Sequence, residues 1–409
     1  AGAAARAAEV ADFAGRQPKP LRVAEILAMK TPDGLRAVLQ EELQVRLANR
    51  IAHLDTLPSL EAVERVRGVR ADFMRAFAEV REAEALSPYE FALVIQEFKK
   101  RNRDHALRMT LGMKEWMQLR RAAGEPEGDT RAFVDGFMDR LFLSRIGMET
   151  LTSQYLALFS TPEGIVDRQC DPCVVCARAV EAVREVASAH LPVVPRVRIS
   201  FHGTEDARTL SLIPQYLFYI VVELLKNSLR AVGELHAAQG GGGLPEPVQI
   251  RVASDESQVA LLIMDRGGGI PFQQQPHIWS WMYSTAKGTR VHENTGQPAG
   301  EDAEPTDLAG YGVGLPLSRL YAEYLGGSMH LMSMPNFGTH AYVILQQSSE
   351  REEALPSYVN WLRKRRLRED ILSYEAKEKQ AADGRDYVEA LRLKTLAAEA
   401  SVELSLLER

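Results

Sequence analysis

Apolar positions recur at helical spacing through the first half of the chain. In "DGLRAVLQEELQVRLANRIAHLDTL", Leu39, Leu43, Leu47 and Ile51 fall on one helical face. "ALVIQEFKKRNRDHALRMTLGMKEWMQL" and "TRAFVDGFMDRLFLSRIGMETLTSQYLALF" carry the same period. Breaks at Leu57–Pro58, Ser87–Pro88 and "AAGEPEGD" divide this region into four or five long helices. Such a set predicts a helical bundle over residues 20–190, preceded by a short segment, 1–19.

Near residue 191 the period changes. "VPRVRISFHG" alternates as a strand does. "PQYLFYIVVELLKNSLRAVGELH" predicts a helix, and "VQIRVASDESQVALLIMDRGGG" a hairpin-like pair of strands ending in glycines. "GSMHLMSMPNFGTHAYVILQ" supplies two more strands around a turn. Strands and helices mixed in this way predict an α+β layer domain over 191–348. "AQGGGGLPEP" reads as a flexible surface loop. The polar stretch 286–307 is long for a loop inside a compact domain, which points to a functional or disordered segment. Residues 349–409 form a charged helical extension. From 351 onward it holds 12 Lys+Arg and 12 Asp+Glu, so it is balanced rather than a basic arm.

Composition narrows the class. The 409 residues are 45% hydrophobic and 25% charged with a net charge of −6, which gives no reason to expect a nucleic-acid partner. No apolar run approaches the roughly 18 residues of a spanning helix. The N-terminal "AGAAARAAEVADFAGR" reads either as the remnant of a cleaved mitochondrial presequence or as an Ala-rich surface helix; Glu9 and Asp12 favour the second. Cys170, Cys173 and Cys176 have the spacing of a partial metal run, but no fourth ligand stands nearby. Asp171 and Pro172 read better as the cap and first residue of a helix.

Four pieces carry candidate chemistry. In "ELLKNSLRA", Glu223, Asn227 and Arg230 lie at i, i+4 and i+7 on one helical face. Asn supplies a neutral oxygen suited to Mg²⁺, and Glu can accept a proton; a structural hydrogen-bond network explains the same face. In "MDRGGGIP", Asp265 ends a strand where its carboxylate can accept an adenine amine, with Gly267 and Gly269 allowing close approach; a plain glycine turn is the alternative. In "LAGYGVGLPLSRLYAEYLGG", Gly310, Tyr311, Gly312, Val313 and Gly314 precede a helix whose first turn includes Pro316. Its G-x-G-x-G spacing is neither the dinucleotide fingerprint nor a Walker loop, and the helix N-terminus can bind phosphate. In "NFGTHAYVIL", Gly338 and Thr339 start a strand at either a hairpin turn or a nucleotide contact.

In this order, the pieces resemble the Bergerat-type ATP-binding superfamily of histidine kinases, type II topoisomerases and mismatch-repair ATPases. The long polar loop stands where that superfamily has its ATP lid. "ELQVRLANRIAHLDTLP", "FMDRLFLSRIGMETL", "VELLKNSLRA", "DRGGGIP", "WMYSTA" and "GYGVGLPLSRLYAEYLGG" further resemble the mitochondrial protein kinases that act on pyruvate and branched-chain ketoacid dehydrogenases. The resemblance runs from about residue 20 to 365. It implies a helical bundle, an ATP-binding domain, a homodimer or larger assembly, and a mitochondrial-matrix location. It implies transfer of the ATP γ-phosphoryl group to a serine of the decarboxylase component, with the acyltransferase's lipoyl domain docking on the helical half. By the same resemblance, Glu223 is the general base and Asn227 the Mg²⁺ ligand. Asp265 reads adenine, Gly267, Gly269, Gly310, Gly312 and Gly314 shape the site, and Ser284, Thr285 and Thr339 contact the nucleotide. ATP or ADP with Mg²⁺ are the implied ligands, with K⁺ as a further candidate cation.

This chain departs from the pattern at several points. Tyr219 stands where pyruvate dehydrogenase kinases often have histidine, and His340 where an acid is usual. Only Trp361 stands in for the Trp-containing tail. His105, near the phospho-acceptor position of bacterial relatives, is followed by Ala106 rather than an acid, so a helix-surface or partly buried histidine is expected. The balance of motifs inclines to pyruvate over branched-chain dehydrogenase as substrate. A nucleotide-binding scaffold subunit is the alternative of a different class.

Overall fold

The computed structural model describes residues 2–22, 25, 28–204, 208–255, 257–285, 311–324, 326–346, 352–356, 367, 370–371, 373–381 and 387–408. The helices described in the first half are α1 (Gly2–Ala14), α2 (Pro32–Asp55), α3 (Glu64–Glu82), α4 (Pro88–Arg101), α5 (His105–Ala122) and α6 (Glu127–Ala157). Local chemistry explains their starts. The Thr31 hydroxyl accepts from the Gly34 N–H at 3.3 Å ahead of Pro32, and Ser87 with Glu90 forms a reciprocal capping box ahead of Pro88. The stripe foreseen in α2 is the buried one, with Leu39, Leu43, Leu47 and Ile51 all in the core. The Ala-rich N-terminus is a helix: Phe13 of α1 meets Phe77 of α3 edge-on at 5.5 Å, and Arg81 reaches Glu9 at 2.7 Å.

The second unit is a five-stranded sheet with the order β2-β4-β5-β7-β6, made of β2 (Val197–His202), β4 (Val248–Ser254), β5 (Gln258–Met264), β6 (Ser328–Met334) and β7 (Gly338–Gln346). β2 runs parallel to β4, and every other pair is antiparallel. A small ribbon pairs β1 (Asp167–Cys170) with β3 (Leu210–Leu212). α7 (Pro172–Ser188), α8 (Pro214–Ala238) and α9 (Gly314–Tyr324) cover one face of the sheet. Alternate residues such as Ile250, Val252, Leu261, Ile263 and Val343 point into that layer. A last helix, α10 (Tyr387–Glu408), lies in the C-terminal extension.

α7 packs in the core of the sheet unit, through Val175, Cys176, Ala179 and Val183. The helical unit expected to reach residue 190 therefore ends before it. At its start the Asp171 side chain accepts from the Cys173 N–H at 2.8 Å, with Pro172 next, as a cap should. Burial pushes the Cys170 thiol up to about 12 and the Cys176 thiol higher still, which makes both inert as thiolates. Among the described residues, no group of three or more His, Cys, Asp or Glu is placed to hold a metal ion.

Two buried polar clusters tie the units together or define the bundle. Arg46, 2% exposed, pairs with Glu42 at 3.1 Å and with Glu353, which follows the last strand. Glu353 also accepts from the Leu21 N–H at 3.1 Å and from the Tyr324 hydroxyl. Against the desolvation that burial imposes, Glu353 holds Arg46 firmly protonated. His105 is 1% exposed, not the surface or half-buried residue expected. It starts α5, and its Nε2 lies 2.9 Å from Asp72, which Arg108 also meets at 2.8 Å. Burial, helped by Arg50 and Arg145, pushes its pKa down to about 3 although Asp72 pulls the other way.

Glu353→Gln is expected to lower stability by up to about 3 kcal/mol in denaturant titrations, because Arg46 would remain buried with Glu42 as its remaining partner charge. Stability should also be pH-sensitive through His105. The unfolded imidazole protonates near 6.5 and the folded one near 3. Its contribution is therefore complete above about pH 6.5 and is lost as pH falls, at up to ~1.4 kcal/mol per unit. Comparing denaturation of the native chain and His105→Gln between pH 7 and 5 checks this, the variant showing the shallower loss.

Candidate active site

α8 carries the polar face foreseen on it. Glu223 is 7% exposed, on a helix whose neighbouring residues from Tyr216 to Leu225 are almost all buried. Lys226, one turn on, donates to Glu223 Oε1 at 2.8 Å. The other oxygen, Oε2, faces the start of α9 so closely that a Cβ on Gly314 would stand 2.2 Å from it. A larger residue there would have to displace that carboxylate. Asn227, half-buried, lies one turn beyond Glu223 on the same side.

At the end of β5, Asp265 is buried and held by three donors. Its Oδ1 accepts from the Gly267 N–H at 2.9 Å and the Thr339 N–H at 3.2 Å, while Oδ2 accepts from the Ser228 hydroxyl at 2.9 Å. Burial raises its pKa, and those three hydrogen bonds oppose the rise. The turn that follows presses on α8: a Cβ on Gly267 would meet that of Ala231 at 2.5 Å. Thr339 is held in turn, its hydroxyl 2.9 Å from Ser333 Oγ.

The second glycine turn is fastened from the bundle side. Its Gly312 is left-handed (φ 71°) and accepts from the Met282 N–H at 2.9 Å. Val313 is fully buried, and Tyr311 is half-buried beneath Lys114 of α5, whose Nζ is 5.0 Å from the ring centroid. Beside Met282, Trp281 stacks on Phe142 of α6 at 4.6 Å. Its backbone N–H donates to Asp135 at 2.8 Å and its indole N–H to Asp139 at 2.7 Å. Arg319 of α9 is also turned to Asp139, at 3.4 Å, away from any phosphate position at the helix start. Burial raises the Asp139 carboxyl even with Trp281 and Arg319 beside it.

An acid at a strand end, a glutamate and an asparagine one helical turn apart, and two glycine turns pressed on that helix thus stand together in space. Residues 213–349 match the family model described as histidine kinase-, DNA gyrase B-, and HSP90-like ATPase. Residues 34–175 match the model of mitochondrial branched-chain alpha-ketoacid dehydrogenase kinase. The mitochondrial [pyruvate dehydrogenase (acetyl-transferring)] kinase of Drosophila melanogaster is 32% identical over 338 residues, 78% of this chain and 79% of the relative. The chain belongs to the mitochondrial pyruvate dehydrogenase kinase family. The Arabidopsis thaliana member is likewise 32% identical, over 78% of this chain and 86% of its own length. Isozyme 1 of Mus musculus is 29% identical over 85% of this chain and 82% of its own length. The chain thus carries the ATP-binding domain of a protein-kinase family, joined to that family's helical half.

Within this kinase frame the structure groups Glu223, Asn227, Asp265, Gly267, Gly269, Gly312, Val313, Gly314 and Thr339 around the two glycine turns and α8. Arg230 is set apart: its guanidinium lies 3.9 Å from Glu234 at the surface. Ser284 and Thr285 are exposed, at the edge of the described residues. Gly310, the lid stretch 286–307 and Trp361 fall outside them. Sequence reasoning missed Ser228, which holds Asp265, and Lys226, which holds Glu223. Both stand inside the quoted "ELLKNSLRA"; the i, i+3 spacing of Glu223 and Lys226 was an available signal, whereas the partner of Ser228 lies 37 residues away. It missed Asp135 and Asp139 altogether, because their partners lie more than 140 residues away. Gly314→Ala is expected to displace the Glu223 carboxylate. Kinase turnover should drop at least tenfold, with the melting temperature falling by only a few degrees, as steady-state assays and calorimetry would show.

Proposed function

We propose that this chain is a protein-serine kinase of the mitochondrial matrix that transfers the γ-phosphoryl group of ATP to a serine in the decarboxylase component of pyruvate dehydrogenase, inactivating it. The observation that carries the reading is the Glu223 carboxylate held by Lys226 against the glycine turn that begins α9. It places a proton acceptor where a helix N-terminus can hold phosphate. Asp265, at the other end of the site, keeps acceptor capacity for the adenine amine, and its three donors fix its orientation.

The residues fit Mg²⁺ as well. The half-buried Asn227 offers a neutral oxygen beside Glu223, which suits an ion bound mainly by phosphates and water. When bound, Mg²⁺ neutralises charge on the phosphates. The chain's own part is positioning. The glycine turns bring backbone N–H groups to the phosphates, and the water-poor environment around Val313 and Trp281 strengthens those contacts. The acceptor serine oxygen attacks the γ-phosphorus, the bond to the β-phosphate oxygen breaks, and ADP leaves. Glu223 orients the hydroxyl and takes its proton. The names of the relatives support pyruvate dehydrogenase as substrate. The family model matched by the helical half supports branched-chain ketoacid dehydrogenase as a second reading.

For partners, the reading takes the lipoyl domain of the acyltransferase on the helical half, K⁺ as a further cation, and a homodimer. The exposed apolar side chains Met332, Met334, Phe337 and Phe272 around the edge strand β6 suit such a contact.

Purified chain incubated with labelled ATP–Mg²⁺ and each decarboxylase tests the proposal. Pyruvate dehydrogenase serine should be labelled. Glu223→Gln should transfer about 10²–10⁴-fold more slowly, with ATP affinity changed less than about threefold. Asn227→Ala should weaken Mg²⁺-dependent nucleotide binding. Nucleotide bound without transfer to either substrate would instead identify a scaffold subunit.

A further inference from the structure

Beside the second glycine turn, where Met282 meets Gly312 and Lys114 lies over Tyr311, there is a pocket of about 210 Å³. One wall is the face of α5 that carries Lys114, Met117 and Gln118, and another is the start of α6 with Thr130. Its floor is the Trp281–Met282 corner. The volume is below the ~300–1,000 Å³ of small-molecule sites and suits one or two polypeptide side chains.

The charges in this pocket do not cancel. Arg121 and Arg131 both reach Glu127, at 3.2 and 3.3 Å, and Arg120 binds Glu125 at 2.8 Å. Lys114 makes no ion pair among the described residues. It lies over the Tyr311 ring, and burial alone lowers its pKa. A half-desolvated ammonium with no counter-charge among the described residues calls for an anion.

The floor has its own abnormality. Met282 is left-handed (φ 62°), a conformation a long side chain rarely adopts. Its N–H bond to Gly312 holds it there, and its side chain lines the pocket. Strain of this kind persists where the surroundings over-determine it and clusters at functional sites. Met282 is thereby linked through Gly312 to Gly314 and the Glu223 carboxylate. With Asp265 read as the base end and the glycine turn as the phosphate end, Lys114 over Tyr311 and Met282 against Gly312 set this pocket next to the phosphate end, where an acceptor has to approach.

We propose that this pocket receives the acceptor protein next to its phosphorylated serine, with Lys114 binding an acidic side chain of that segment and so selecting the substrate. The inference rests on the kinase reading. Steady-state kinetics of the full chain with pyruvate dehydrogenase decarboxylase test it, using Lys114→Met, Lys114→Glu and the conservative Lys114→Arg. Lys114→Met should raise KM for the decarboxylase about five- to tenfold and Lys114→Glu more. KM for ATP, nucleotide affinity and melting temperature should stay within twofold or a few degrees, and Lys114→Arg should restore most of the loss. Unchanged KM for the decarboxylase in Lys114→Glu would overturn the inference. A rise confined to KM for ATP would overturn it too, making Lys114 a phosphate contact. An unmodified chain that labels no decarboxylase would overturn the kinase reading itself, a result distinct from either.

Discussion

α8 is buried on every side from Tyr219 to Leu225, and the rest of the site depends on that. Ile213, Tyr216 and Tyr219, from its N-cap into its second turn, belong to the bundle core, while Leu217, Ile220, Leu224 and Leu225 belong to the core under the sheet. A helix apolar all round has to be enclosed, and this one is enclosed by two units at once. Glu223 therefore sits in a desolvated place. A buried carboxylate needs partners, and Lys226 with the backbone at Gly314 supplies its surroundings. The glycines at 267 and 314 follow from the same closeness, because each turn lies within a methyl group's width of α8.

The bundle does more than stand beside the nucleotide domain. α6 reaches across with Asp135, Asp139 and Phe142 to hold Trp281, and with Asp139 to hold Arg319. Both partners flank the glycine turn, so the placement of that turn is set by a helix more than 140 residues earlier. At the far end of α9, Tyr324 meets Glu353, which closes on Arg46 of α2 and on the backbone of Leu21. A buried ion pair is weak ground for stability, yet it is strong ground for register, since each charge is tolerated only in that arrangement. α9 is thus gripped by the bundle at both ends.

Much of this was legible along the chain. The apolar stripe of α2, the cap at Asp171–Pro172, the antiparallel pair β4–β5 and the final pair β6–β7 are written in periodicity and punctuation. Those are local properties, governed by helix and strand geometry over a few residues. The glycine turns and the Glu223–Asn227 spacing were legible for the same reason, because backbone approach selects glycine and a helix places i and i+4 together. His105 read as a surface or half-buried residue because nothing adjacent to it reveals Asp72, 33 positions away. α7 looked like one more bundle helix because its own pattern does not say which core its apolar face joins.

The sequence by itself determined the elements and the spacings from which an ATP-binding kinase domain is read, since each depends on spacing within one helix, strand or turn. The tertiary structure alone decided which groups support them: Ser228 on Asp265, Asp139 on Trp281 and Arg319, Glu353 on Arg46, and Lys114 over Tyr311. Most of these join separate elements, and even the nearest spans 37 residues. Burial and charge compensation act on neighbours in space, which no period along the chain records.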